Sequence, residues 1–310
     1  MRTTVVVNPQ AADGRTGARW AQMRRLLEEV TGPVETLFTT GPLDATELTR
    51  KALHGGAEQV IAVGGDGTGN EVVNGFFEGG RPINPEAVYA FLTSGTGGDF
   101  RKTFGIPRAF EEQVARLARS EVQTIDLGRL RYTGHNGEAA VRFFANVASF
   151  GISGFTDKAV NELHWAKRFG GKFAFKWGMT KALFSYRNQP VRLRVDDDFD
   201  TVLNINLGAV CNGCYFGGGM HLAPNARPDD GLFDIILVTD VGNLRLFMRS
   251  GSIYRGAHLD FEEVTALTAT RVTAEPADGA DEVLLDVDGE APGRLPATFE
   301  IVPKTIRLRG

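Results

Sequence analysis

The sequence predicts a two-part fold: an α/β N-terminal domain on a parallel, Rossmann-like sheet, then a mainly antiparallel β-sandwich C-terminal domain. Three observations carry this expectation. Short apolar runs alternate with amphipathic helical stretches through about residue 127, which is the pattern of βαβ units. A glycine-rich turn, Gly64-Gly65-Asp66-Gly67-Thr68-Gly69, separates one such run from the helix that follows it. From about residue 130 onward, strand-like segments recur with few helical stretches between them. The expected domains are therefore residues 1–130 and 131–310.

The 310 residues suffice for one large domain or two ordinary ones. A formal charge of −4 argues against a nucleic-acid partner, whose binder would carry a basic excess. Two cysteines exclude a disulfide scaffold and suit a reducing cytoplasm. The first strand starts almost at once, leaving no room for a signal peptide. No apolar run approaches the roughly 20 residues needed to span a bilayer. The expected location is cytoplasmic, with any membrane contact peripheral, at the inner face.

Thr3 to Val7 reads as the first strand, ending at Asn8-Pro9. Trp20, Met23, Leu27 and Val30 mark one helix face. Val34 to Phe38 is the second strand, followed by Thr39-Thr40-Gly41-Pro42. Asp44 is the expected N-cap of a helix whose inner face carries Ala45, Leu48 and Ala52. Val60 to Val63 has the composition of a buried parallel strand, and after the turn Glu71, Val72, Val73, Phe76 and Phe77 read as helix. Ala87 to Leu92 is another strand, ending in a second glycine turn, Thr93 to Arg101, that feeds a further helix. A helix over 109–119 and a short strand from Val122 to Leu127 complete the first half. Beyond it, strands are expected at 141–149, 191–195, 202–210, 233–239, 263–274, 282–287, 298–302 and 305–309. Leu203, Ile205, Leu207 and Ala209 alternate with Asn204, Asn206 and Gly208, as on a sheet with one buried face.

Strand, glycine turn, helix start is the geometry in which backbone N–H groups converge on an anion. Asp66 within that turn makes sense if a divalent cation lies between its carboxylate and a phosphate. The plain alternative is an ordinary strand–helix turn. Residues 8–17 offer a second phosphate or adenine loop, weak by itself because Asn-Pro is a common turn initiator. There is no Walker A sequence. Cys211-Asn212-Gly213-Cys214 is a lone Cys-x-x-Cys without a histidine ligand set, so buried free thiols are expected, not zinc.

Residues 158–187 carry seven basic residues against one acidic residue, Glu162. Trp165, Phe169, Phe173 and Trp177 recur every four residues, with Arg168, Lys172 and Lys176 as the neighbouring stripe. If helical, this is an aromatic face bordered by cations, suited to an anionic membrane surface. The alternative is a helix that packs its aromatics on the β domain.

Gly-Gly-Asp-Gly-Thr followed by Asn-Glu resembles the signature of the diacylglycerol kinase, sphingosine kinase and NAD kinase superfamily. Ser94 to Phe100, Asn146 to Gly151, Asn212 to Gly219, Ala223 to Asp234 and Asp288-Gly289-Glu290 are similar, in order, to bacterial diacylglycerol kinase-like lipid kinases. The resemblance implies an ATP-dependent lipid kinase transferring the γ-phosphoryl group to a hydroxyl of diacylglycerol or a related lipid. It implies an Asp66, Asp99 and Asp126 network with Mg²⁺ and water reaching the ATP phosphates. Glu290 would be the general base, with Asp288 beside it. Thr39, Thr68, Asn70 and Thr96 would line the nucleotide, with Asn8 at its edge and Gly64, Gly65, Gly67, Glu71 and Gly95 in the two turns. A second metal site would use the Arg227 and Leu232 carbonyls and the Asp230 carboxylate. A general base from one domain facing a nucleotide turn on the other puts the reaction in the interdomain cleft.

Thr93 and Gly98 depart from the family pattern of Pro and Asn, which bears on the choice of nucleotide. Two other readings stay open: a soluble-substrate kinase of the NAD kinase type, and a non-catalytic nucleotide-binding regulator. The identity of the lipid and the assembly, homodimer included, are not written in the sequence.

Overall fold

The computed structural model describes residues 1–94, 98–162, 185–242, 245, 249 and 251–310. The first half runs β1 (Thr3–Val7), α1 (Arg15–Thr31), β2 (Val34–Phe38), α2 (Asp44–His54), β3 (Gln59–Gly64) and α3 (Asp66–Gly75). A short hairpin, β4 (Phe77–Glu78) and β5 (Arg81–Pro82), leads to β6 (Val88–Thr93), α4 (Asp99–Thr103) and α5 (Phe110–Arg119). Strands β7 (Val122–Gly134), β8 (Ala139–Phe144) and β9 (Val147–Gly151) follow, then α6 (Ile152–Glu162), β10 (Gln189–Val195) and β11 (Phe199–Cys211). The chain ends with β12 (Tyr215–Phe216), β13 (Met220–His221), β14 (Phe233–Thr239), β15 (Val264–Ala269), β16 (Arg271–Pro276), β17 (Leu285–Val287) and β18 (Gly293–Arg309).

The N-terminal strands pair in parallel in the order β2-β1-β3-β6. Alternate residues of β1 and β3 bury opposite ways. Val6, Val60 and Ala62 meet α2 and α3, whereas Val5, Val7, Ile61 and Val63 meet Trp20, Met23 and Leu27 of α1 and Leu117 of α5. That is the three-layer α/β arrangement expected of strands apolar on both faces. Strand order reverses between β1 and β3, so a crevice opens beyond their C-terminal ends, where Asn8 and Gly64 lie.

The β-rich half is antiparallel, in the order β18-β16-β10-β11-β14-β15, with β9 pairing to the C-terminal part of β11 and β17 pairing to β9. Phe144, Phe150, Phe233 and Phe299 fill the space enclosed. The one-sided pattern read for residues 203–209 holds only to Asn204. From Ile205 onward β11 is buried on both faces, because β9 and β14 flank it there and a Cβ at Gly208 would lie 2.2 Å from the Phe150 ring.

Several boundaries differ from expectation. The Val122–Leu127 strand continues to Gly134, and the segments at 298–302 and 305–309 are one strand, β18. Its register shifts between Val302 and Ile306, and the Lys304 N–H left over by that bulge donates to Asp126 Oδ1 at 2.6 Å. The segments at 141–149 and 263–274 are each two strands. Asp44 is the first residue of α2 rather than its N-cap. Its carboxylate accepts from the Thr40 and Gly41 N–H groups of the preceding turn, and Glu71 of α3 accepts from the Leu43 and Ala45 N–H groups instead.

Strands β7 and β18 run together through both halves. Leu127 to Gly134 pairs with residues 293–302 in the β-rich half, while Arg307 and Leu308 pair in parallel with Val88 and Tyr89 of β6. The last residues of the chain thus complete the N-terminal sheet.

Candidate active site

The expected nucleotide residues gather at the C-terminal ends of the parallel strands. The Asn8 N–H donates to the Val63 carbonyl, and its Nδ2 donates to Thr68 Oγ1 at 3.2 Å. The Thr39 N–H donates to the Val7 carbonyl, and Ser94 N–H to the Gly64 carbonyl. Only glycine fits at position 64, since a Cβ there would lie 2.5 Å from Thr68 Oγ1. Gly65 has nothing within 4 Å of a built Cβ, so the turn is open on that side. Gly95 and Thr96 lie outside the described residues.

Asp66 opens α3. Its Oδ2 accepts from the Gly98 N–H at 2.7 Å and the Asp99 N–H at 3.2 Å, while its Oδ1 is buried with no partner among the described residues. Burial, and then the negative charge of Asp99, raise its pKa above the usual aspartate value, against the two N–H bonds that lower it. Gly98 has φ +78°, a left-handed conformation open to both Gly and Asn. The backbone donor to Asp66 is therefore kept although the family's asparagine side chain is absent. Asp99 places Oδ1 against Lys102 Nζ at 3.2 Å and Oδ2 on the Gly218 N–H at 2.7 Å, bridging α4 to the second half of the chain. Asp126 is fully buried, and its oxygens are taken by the Lys304 and Gly231 N–H groups. It thereby holds the 227–232 loop, as does its own N–H on the Pro228 carbonyl. Within that loop Asp230 Oδ1 accepts from the Leu232 N–H, and Arg227 pairs with Asp229.

Asp288 and Gly289 have φ +50° and +87°, and Val287 and Glu290 exchange backbone hydrogen bonds around them. This is the two-residue hairpin that Asp-Gly favours. Asp288 accepts from the N–H groups of Ala145, Asn146 and Val147, and from Asn70 Nδ2 at 2.7 Å. Those three successive amides lie where β8 gives way to β9, which explains the break there. Burial raises the Asp288 pKa despite these bonds. Glu290 leans across the nucleotide turn: a Cβ at Gly67 would lie 2.8 Å from its Oε1. Its Oε2 accepts from Arg142 Nη2 at 2.6 Å, and Arg142 also donates twice to Asn70 Oδ1, at 2.6 and 2.8 Å.

The structure thus brings Asp66, Gly67, Asn70, Asp288 and Glu290 into one cluster, with Asp99 beside Asp66. Asn70 and Glu71, expected at the nucleotide, spend their polar atoms on Arg142, Asp288 and the start of α2. Of the five acids expected to be catalytic, Asp99, Asp126 and Asp288 have both oxygens engaged. Asp66 Oδ1 and Glu290 Oε1 are left without a hydrogen-bond partner among the described residues. Sequence reading missed Arg142, whose signal was a charge inside the apolar run Val141 to Phe144. It also missed Asn74, one turn after Asn70, which exchanges hydrogen bonds with the Phe143 backbone.

A family model described as the diacylglycerol kinase catalytic domain matches residues 2–130, and one described as the YegS C-terminal NAD kinase beta sandwich-like domain matches residues 146–310. The chain belongs to the diacylglycerol kinase family. A diacylglycerol kinase of Staphylococcus carnosus is 30% identical over 257 residues, covering 83% of this chain and 78% of the relative. One from Mycobacterium tuberculosis is 26% identical over 266 residues, covering 86% of this chain and 81% of its own. The crystal structure of a putative diacylglycerol kinase from Bacillus anthracis shares the fold with a TM-score of 0.76 at 23% identity, covering 99% of this chain and 94% of that one. A yeast NADH kinase complexed with NADH shares it more distantly, with a TM-score of 0.52 at 11% identity over 99% of this chain and 82% of that one. As a diacylglycerol kinase family member the chain is an ATP-dependent lipid kinase. Cys211 is buried and Cys214 half-buried, both as free thiols. No helix among the described residues is long and apolar enough to cross a membrane.

Proposed function

We propose that the reaction is transfer of the ATP γ-phosphoryl group to the hydroxyl of diacylglycerol or a related lipid, between α3 and the Asp288-Gly289-Glu290 hairpin. One observation carries this reading: Glu290 Oε1, without a hydrogen-bond partner among the described residues, overhangs Gly67 of the nucleotide turn. The phosphates rest on the turn after β3 and the N-terminus of α3, with Asn8, Thr39 and Thr68 beside them. Glu290 accepts the proton of the lipid hydroxyl as the oxygen attacks. Phosphoryl transfer needs positioning and charge compensation more than covalent help, so a rigid turn facing one carboxylate is the kind of site it uses.

A divalent cation such as Mg²⁺ fits the donor set around Asp66. Asp66 Oδ1, without a partner among the described residues, offers one buried anionic ligand, Asp99 adds charge beside it, and substrate phosphates complete such sites. Among the described residues no cluster of three or more acids, histidines or cysteines forms a self-sufficient cage. When bound, the cation would neutralise phosphate charge. Asp126 belongs to this reading as the residue that fixes the 227–232 loop. A second cation at Asp230 with the Arg227 and Leu232 carbonyls is part of the same reading.

We read the chain as domains 1–130 and 131–310, working at the inner membrane face. Residues 158–187, of which 163–184 lie outside the described residues, are taken as the peripheral contact. A homodimer is part of this reading, and sedimentation velocity of the full chain should show twice the monomer mass.

The test is a radiolabelled ATP assay on a panel of lipid hydroxyls and NAD, with and without anionic vesicles. Diacylglycerol should be phosphorylated and NAD should not. Glu290→Gln should lower the catalytic rate by about 10²–10⁴ while leaving ATP binding unchanged. Phosphorylation of NAD in place of lipid, or undiminished turnover in Glu290→Gln, overturns the reading.

A further inference from the structure

We propose that Arg142 is a positioning residue, holding one oxygen of Glu290 so that the other is presented over the nucleotide turn. The proposal rests on the reading of Glu290 as the base.

The arrangement divides Glu290 in two. Oε2 is bound by Arg142 Nη2 at 2.6 Å, while Oε1 faces Gly67 with no hydrogen-bond partner among the described residues. A glutamate at the mouth of a cleft has three rotatable bonds, and one hydrogen bond to a mobile cation would not fix it. Arg142 is not mobile. Its side chain is only 12% exposed, and its Nε and Nη2 both donate to Asn70 Oδ1. The planar guanidinium thus bridges two acceptors at once, a geometry that a lysine ammonium cannot reproduce.

Asn70 in turn has no freedom to rotate. Its Oδ1 accepts from Arg142 and Asn74, and its Nδ2 donates to the Phe143 carbonyl and to Asp288 Oδ2. One asparagine on α3, a single turn beyond Asp66, therefore holds both ends of the Asp288-Gly289-Glu290 hairpin. It holds Asp288 directly and Glu290 through Arg142. The base is registered to the same helix whose first residues form the nucleotide turn.

The test is a double-mutant cycle on the full chain, read by steady-state kinetics with diacylglycerol in mixed vesicles. Arg142→Ala should lower kcat by about 10²-fold, the scale of loss from misplacing a reacting group by about 1 Å. KM for ATP should stay unchanged, because the phosphates rest on the other domain. In a Glu290→Gln background the same substitution should cause no further loss of kcat, since no base remains to be positioned. Arg142→Lys keeps the charge and most of the packing, so it should fold like the parent and still lose kcat. It keeps the test valid if Arg142→Ala does not fold. Added guanidinium should restore part of the Arg142→Ala rate. Equal losses in both backgrounds, or full turnover of Arg142→Ala or of Arg142→Lys, would overturn the proposal. Full turnover of Glu290→Gln would instead remove the base reading beneath it.

Discussion

Asp66 is a buried carboxylate held by two backbone N–H groups, with one oxygen left without a partner among the described residues. Because its pKa in the folded state lies above 3.8, the fold favours the protonated form. The stability tied to that proton is present at low pH and lost as pH rises from 3.8 through the folded value. Asp66→Asn should therefore abolish phosphoryl transfer yet raise the melting temperature of the nucleotide-free protein at neutral pH. The gain should shrink as pH falls toward 3.8, and thermal melts across that range check it. A lower melting temperature at pH 7 would show that the carboxylate is structural. Gly67 makes the complementary case. A Cβ there meets Glu290 Oε1 at 2.8 Å, so Gly67→Ala should displace the base and lower kcat by about tenfold or more, with a smaller loss of ATP affinity because Gly67 also lies in the nucleotide turn. Titration calorimetry with ATP beside turnover measurement separates the two.

At the scale of elements, helices α2 and α3 are joined by a cap that neither announces alone. Glu71 accepts the Leu43 and Ala45 N–H groups at the start of α2, and the Thr46 hydroxyl donates to the Glu71 carbonyl. Asp44, the residue whose type and place advertise a cap, serves the preceding turn. Local chemistry shows that a helix start needs an acceptor, but not which of two nearby carboxylates arrives there, because one comes from a different helix. Losing a cap typically costs about 1 kcal/mol. Glu71→Ala should thus lower the melting temperature by about 2–4 °C. Calorimetry would measure it, and an unchanged value would mean that water caps α2 equally well.

For the whole molecule, the decisive feature is β18. Ile306 and Leu308 are buried in the core formed by α2, α3 and the parallel sheet, and Arg307 and Leu308 cover the open edge of β6. A chain of residues 1–130 alone would expose that edge and the apolar faces beside it. It should aggregate or fail to fold, whereas the same fragment supplied with a peptide of residues 303–310 should be more soluble. Size exclusion and circular dichroism decide between them, and a monomeric, folded 1–130 fragment would show that the C-terminal strand is dispensable.

What the sequence by itself determined is local. Val60 to Val63 and the glycine-rich turn into a helix form one continuous stretch that can be read from neighbours. The turn itself is only Gly64-Gly65, with Gly64 closing the strand, and the helix runs from Asp66 to Gly75, earlier at both ends than the sequence suggests. The Asp288-Gly289 hairpin is equally local, because Asp-Gly is a pair that two-residue hairpins favour. The tertiary structure decided everything that joins distant stretches: that Asn70 clamps Asp288, that Arg142 holds Glu290, that Asp126 secures Gly231 and Lys304, and that residues 306–309 finish a sheet begun at Thr3. Residue type reveals that a buried polar group must find a partner. Which partner it finds depends on how the chain returns, and no local pattern in the sequence encodes that return.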